Sequence, residues 1–141
     1  MSALSQSSRP TSGRGGSFDV ARTGYVIVVG LLVEFVLGLA TNLWVTVGHT
    51  QPWSHISDPA LAGVHGLVGL ALTMMAFVVV GRTHDQSGAV RIWAIVSLVG
   101  MLVALFCGLE FISSGAKAGW SFGMGLAWAV ALMANAALAR T

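Results

Sequence analysis

Apolar residues run along this chain in four long blocks separated by short polar breaks, without the alternating or one-faced stripes of a soluble fold. The blocks cover about Tyr25 to Val47, Ala60 to Gly81, Ala89 to Ile112 and Gly119 to Ala139. A helix needs about 20 residues to cross a hydrocarbon core, so each block predicts one transmembrane helix. The second start is well marked, because Asp58 suits an N-cap and Pro59 suits the first helical position. The first block starts late, runs long and contains Glu34, which makes it a poor cleaved signal peptide and a better uncleaved first helix. Residues 1–23 are rich in Ser, Gly and Arg, with Pro10 and few apolar anchors, and are expected to be a disordered cytoplasmic tail. Residues 24–141 are expected to form the membrane domain. Short connections make consecutive helices antiparallel neighbours, so the expected fold is an all-α, four-transmembrane-helix up-down bundle.

Composition agrees with a lipid solvent. Hydrophobic residues make up 55% of the 141 residues and charged residues 9%, against about 25% charged in a soluble domain. The mean hydropathy is +0.82. Arg9, Arg14, Arg22, Arg82, Arg91 and Arg140 fall on one side of the four spans and only Lys117 on the other. By the positive-inside rule both termini are expected in the cytoplasm, with a bacterial plasma membrane as the location. Trp44, Trp53 and Trp120 lie near the outer ends and suit interfacial anchoring. With no cluster of Lys or Arg beyond short loops, nucleic acid is not an expected partner. The expected partners are the lipid bilayer and either a second copy or another membrane protein. Cys107 is the sole cysteine, which excludes an intramolecular disulfide.

Within the spans, small residues recur at helical spacing: Gly30, Glu34, Gly38 and Thr41 in the first, then Ala62, Gly66, Gly69 and Thr73 in the second. The third carries Ser97, Gly100, Ala104 and Gly108, and the fourth Ser121, Gly125, Trp128 and Asn135. Such stripes let membrane helices approach closely. Depth along the helices groups the polar residues in two layers. Glu34, Thr73, Ser97 and Asn135 fall near the bilayer midplane, while Asn42, His65, Glu110 and Ser121 lie nearer the outer surface.

The two glutamates, Glu34 and Glu110, are the costliest residues in these spans, at roughly 2.5–3.5 kcal/mol or more for an acid at a helix centre. Glu110 is rotated about 140° from the small stripe of its helix and lies within a turn of the outer end, so a headgroup-level acid in contact with water is expected. Glu34 is the anomaly. No Lys or Arg reaches its depth, so a protonated acid hydrogen-bonded to Asn135, Trp128 or a hydroxyl is expected, fixing helix register. The alternative is a proton- or cation-binding carboxylate on a transport path. Glu34, Asn42, Thr73, Ser97 and Asn135 are therefore the candidate proton or ligand site, and His65, Glu110 and Ser121 a candidate outer site. His49, His55 and His65 offer imidazoles to a divalent metal, and Met124, at a depth similar to His65, would complete a His/Met haem. His84 belongs to a cytoplasmic loop and is expected to be solvated.

The pattern Glu34-x3-Gly38-x3-Asn42, then Asp58-Pro59 leading to His65-Gly66, then Gly108-Leu109-Glu110-Phe111, resembles small uncharacterised four-span membrane proteins of actinobacterial type. The resemblance covers roughly residues 25 to 139 and implies the four-helix fold and the plasma membrane, without an activity. A more distant similarity is to small multidrug resistance transporters, four-span chains with an essential glutamate in the first helix, whose counterpart would be Glu34. The aromatic and glycine-rich third-helix pattern of that family is not evident in Arg91 to Ile112, and the six-to-one loop charge bias differs from its dual-topology members. Three functions follow as expectations. The first is a non-enzymatic accessory or interaction subunit, the second a proton- or cation-coupled small-solute transporter using Glu34. The third is a haem- or metal-binding protein using His65.

Overall fold

Asp19 sets where the first helix begins. Its carboxylate accepts a hydrogen bond from the Arg22 backbone N–H at 3.0 Å, satisfying one of the orphan donors of a helix start. In the computed structural model, which describes residues 19–48 and 53–141, four α-helices follow: α1 Val20–Trp44, α2 Pro59–Arg82, α3 Gly88–Ser113 and α4 Ala118–Leu138. All four are long and apolar enough to cross a membrane. Among the described residues there is no strand, only one isolated antiparallel bridge between Val47 and Ile56. The helix ends lie within a few residues of the apolar blocks. The largest difference is at α1, which starts at Val20 and stops at Trp44, where the blocks alone suggested about 25 and 47. The cap at Asp19 explains the early start, since the residues ahead of Tyr25 join the helix once its first N–H groups are satisfied. The residue range expected to be a tail otherwise lies outside the described residues.

The other ends have equally local causes. Asp58 accepts from the Leu61 N–H at 2.9 Å, with Pro59 in the first turn where its missing N–H costs nothing. Helix α3 closes in a Schellman motif: the Ala116 N–H reaches the Phe111 carbonyl at 2.8 Å and the Gly115 N–H reaches Ile112 at 3.1 Å. Gly115 takes φ 72° there, a left-handed conformation that glycine adopts without penalty.

The helices form a ring of contacts in which α1 packs on α2 and α4, and α3 packs on α2 and α4. Small residues crowd the interior beside a few larger ones such as Ile27, Val79 and Leu138. Ala76, Ala94, Ala131, Ala134 and Ser97 are fully buried, while the bulky Tyr25, Leu43, Leu67, Phe122 and Met133 are each more than 60% exposed. A water-soluble bundle shows the reverse distribution. A bundle whose exterior is as apolar as its interior gains nothing from hiding leucine, so its helices associate through close backbone approach and hydrogen bonds. The α3–α4 contact shows this most clearly. A Cβ at Gly100 would stand 3.0 Å from the Ala127 carbonyl oxygen and 3.1 Å from the Ala131 nitrogen. One turn away, Asn135 donates from Nδ2 to the Ser97 hydroxyl at 2.6 Å and to the Ala131 carbonyl at 2.8 Å.

Candidate functional site

Glu34 and His65 face each other across the α1–α2 interface. His65 Nδ1 lies 2.8 Å from Glu34 Oε1, with both side chains largely buried. The approach lies off the direction required of a hydrogen bond to Nδ1, so the two groups are in close contact without a directed bond. Two glycines make room for it. A Cβ at Gly69 would be 2.9 Å from Glu34 Oε1, and one at Gly38 would be 3.1 Å from His65 Cε1. The small-residue stripes of α1 and α2 thus do more than bring two backbones together: they clear the space in which an acid and an imidazole meet.

The pair forms part of the wall of a central cavity of about 370 Å³ lined by all four helices. Phe35 and Trp128, which also line it, stack on each other with ring centroids 4.7 Å apart and 28° between planes. Leucines, Met101 and Met124 supply its bulky apolar wall, glycines and alanines much of the rest, and Asn42, Thr73 and Ser121 add polar groups. Thr73 is occupied by its own helix, its hydroxyl donating to the Gly69 carbonyl at 2.8 Å. Glu34 Oε2 is buried and has no hydrogen-bond partner among the described residues, which is costly for a carboxylate unless a ligand or a proton satisfies it.

This arrangement corrects two expectations. Neither Asn135 nor Trp128 holds Glu34: Trp128 donates from Nε1 to the Leu31 carbonyl at 2.9 Å, and Asn135 is committed to Ser97 and Ala131. The partner is His65, which separate depth layers had placed in another group. Glutamate and histidine side chains both reach well beyond their Cα atoms, so residues a turn apart in depth on facing helices still meet. The polar residues accordingly regroup. Glu34, His65, Asn42, Thr73 and Ser121 share the cavity, whereas Ser97 and Asn135 form their own buried pair outside its lining. Glu110 lines neither this cavity nor its neighbour and makes no side-chain hydrogen bond or ion pair among the described residues.

For a metal, the described residues contain no group of three or more His, Cys, Asp or Glu placed to share an ion. His55 is exposed in the α1–α2 connection, and His49 lies outside the described residues. His65 and Met124 line the same cavity. His84 is exposed, with Nδ1 3.1 Å from Asp85 Oδ1. Trp44 and Trp53 are exposed at the bundle end, and Trp120 meets Phe106 edge-to-face with centroids 5.9 Å apart.

The chain matches no family model, no curated protein and no solved structure. Function is therefore to be sought in the chemistry of the cavity.

Proposed function

We propose that this is a multi-pass plasma-membrane protein, an up-down bundle with both termini cytoplasmic, that binds a small solute in its central cavity and exchanges it against a proton held by Glu34 and His65. The observation that carries the proposal is the 2.8 Å acid–imidazole contact on the wall of a four-helix cavity, with the second Glu34 oxygen buried and unpartnered among the described residues. An open acceptor on a cavity wall is placed to meet a solute, whereas the likewise unpartnered Asn135 Oδ1 lies outside the cavity lining, and this position favours the solute-handling reading over that of an accessory subunit. The antiparallel order is supported by the contacts between elements: Gly30 against Leu72, Glu34 against Gly69 and Gly38 against His65 run in opposite directions along α1 and α2. The loop charge bias supports the orientation.

The lining also limits the solute. Its body is apolar, in keeping with the leucines, methionines and the Phe35–Trp128 stack. Its polar end donates a hydrogen bond, because the open valence at the site is an acceptor oxygen. Anions are disfavoured: among the described lining residues, the only group able to carry positive charge is His65, and it already faces Glu34. In proteoliposomes, a panel of apolar amines and alcohols is expected to include solutes that drive proton exchange, while their carboxylate counterparts do not. Glu34→Gln keeps the shape and removes the titrating acid, so exchange is expected to disappear. Full exchange by purified Glu34→Gln protein would reject the proton-coupled mechanism.

One observation favours a second reading. His65 and Met124, the two residue types of a His/Met haem, line the same cavity. That reading expects a Soret band, sensitive to His65→Ala, in protein purified from native membranes without added cofactor. A spectrum without one removes haem.

A further inference from the structure

The central cavity ends at a narrow polar contact. At the bundle end that carries the α1–α2 and α3–α4 connections, the Ser121 hydroxyl lies 3.5 Å from Asn42 Oδ1, a long and weak hydrogen bond. Beyond it a second, more open cavity is lined by Val45, Thr46 and Val47 from one connection and by Gly115 and Ala116 from the other. The two cavities share Asn42, Ser121 and Gly125. Toward the termini the described residues are tightly packed instead. There Ile27, Leu138, Ala134 and Asn135 are fully buried, and a Cβ at Gly24 would stand 3.0 Å from the Ala139 nitrogen.

We infer that the Glu34–His65 site is loaded from one side only, along a water-accessible path from the outer cavity, and that Asn42 and Ser121 are its gate. This rests on the cavity being a solute site but concerns access to it. The physical case is an asymmetry of closure. The packed end is closed by backbone contact at Gly24 and by the short bond from Asn135 Nδ2 to Ser97, and opening it would break both. Among the described residues the other end has one long side-chain contact, between Ser121 and Asn42, where water can replace either partner at little cost. Gly125 beside the gate has no atom within 4 Å of a Cβ position, so the wall there leaves room for a solute to pass.

Cysteine accessibility tests this in the full chain, with Cys107→Ala as background. Ala104 lines the cavity and Ala94 is buried outside it. A small membrane-impermeant trimethylammonium thiosulfonate is expected to label Ala104→Cys from the face opposite the termini and to leave Ala94→Cys unlabelled. Adding Asn42→Ala should speed labelling of Ala104→Cys. Adding Ser121→Trp should slow it roughly tenfold or more, about 1.4 kcal/mol on the barrier. If Ser121→Trp does not fold, the Asn42→Ala acceleration decides alone. Equal labelling from the terminal face, or indifference to both gate substitutions, overturns the inference. So does labelling by a permeant maleimide only, which would mean access from the lipid. The labelling reads access alone and needs neither solute nor proton exchange, so the gate can stand even where the proton-coupled reading of the site fails.

Discussion

Gly100→Val is expected to lower the thermal midpoint of the detergent-purified protein sharply, because the atoms it would strike cannot turn away. The first Cβ alone would sit 3.0 Å from the Ala127 carbonyl oxygen, 3.1 Å from the Ala131 nitrogen and 3.2 Å from the Ala131 Cβ. Two of these are backbone, so relief comes only from moving α3 off α4. Overpacking of this kind costs about 1–3 kcal/mol and occasionally more. The displacement also reaches the Asn135–Ser97 bond, since Ser97 and Gly100 share a helix face and Asn135 lies one turn from Ala131. A typical interhelical hydrogen bond in a membrane protein adds about 0.6 kcal/mol. Gly66→Ala and Gly125→Ala are the matched controls, because a Cβ at either meets nothing within 4 Å. Both are expected to leave the midpoint almost unmoved at the same scan rate. If Gly66→Ala falls as far as Gly100→Val, close backbone approach is not what holds α3 to α4.

The contrast between these glycines shows what a sequence discloses in a membrane bundle. Spans are legible because length and apolarity are imposed by the solvent, residue by residue. The Asp58-Pro59 start is legible because capping is local, whereas Asp19 caps α1 with no proline after it and ahead of the block that apolarity marks. Helix-facing stripes are also legible, yet Gly66, Gly100 and Gly125 sit in them alike. Only the inter-axial distance decides that Gly100 is pressed against a backbone while Gly66 and Gly125 border open space. The site was half visible for a related reason. Burial of Glu34 follows from its place in an apolar span, and its cost marks it as important. Its partner depends on relative helix rotation and on side-chain reach, which depth along each helix leaves out. His65 lies off the small stripe of α2 and still turns inward to Glu34, because Gly38 and Gly69 leave the space that larger side chains would fill.

Whether acid and imidazole act as one unit is best decided by stability, before any solute is known. His65→Leu removes the partner of Glu34 Oε1 while Oε2 is already unpartnered among the described residues, so the carboxyl is left buried with no contact to offset its desolvation. Breaking a buried pair from one side typically costs about 3–5 kcal/mol, and a large fall in the thermal midpoint is expected. Glu34→Gln is milder, since the amide keeps the shape and can both donate and accept. The informative protein is the double variant. Once Glu34→Gln has removed the acid there is nothing to strand, so losing the imidazole should cost far less than it does in the parent chain. The coupling between the two substitutions is expected in the range of about 0.5–3 kcal/mol for residues in contact. Were Glu34 instead a solitary protonated acid serving its own helix, the two losses would add within about 0.3–0.5 kcal/mol. Additivity of that quality would remove the pair as a functional unit, and the proton-exchange mechanism built on it.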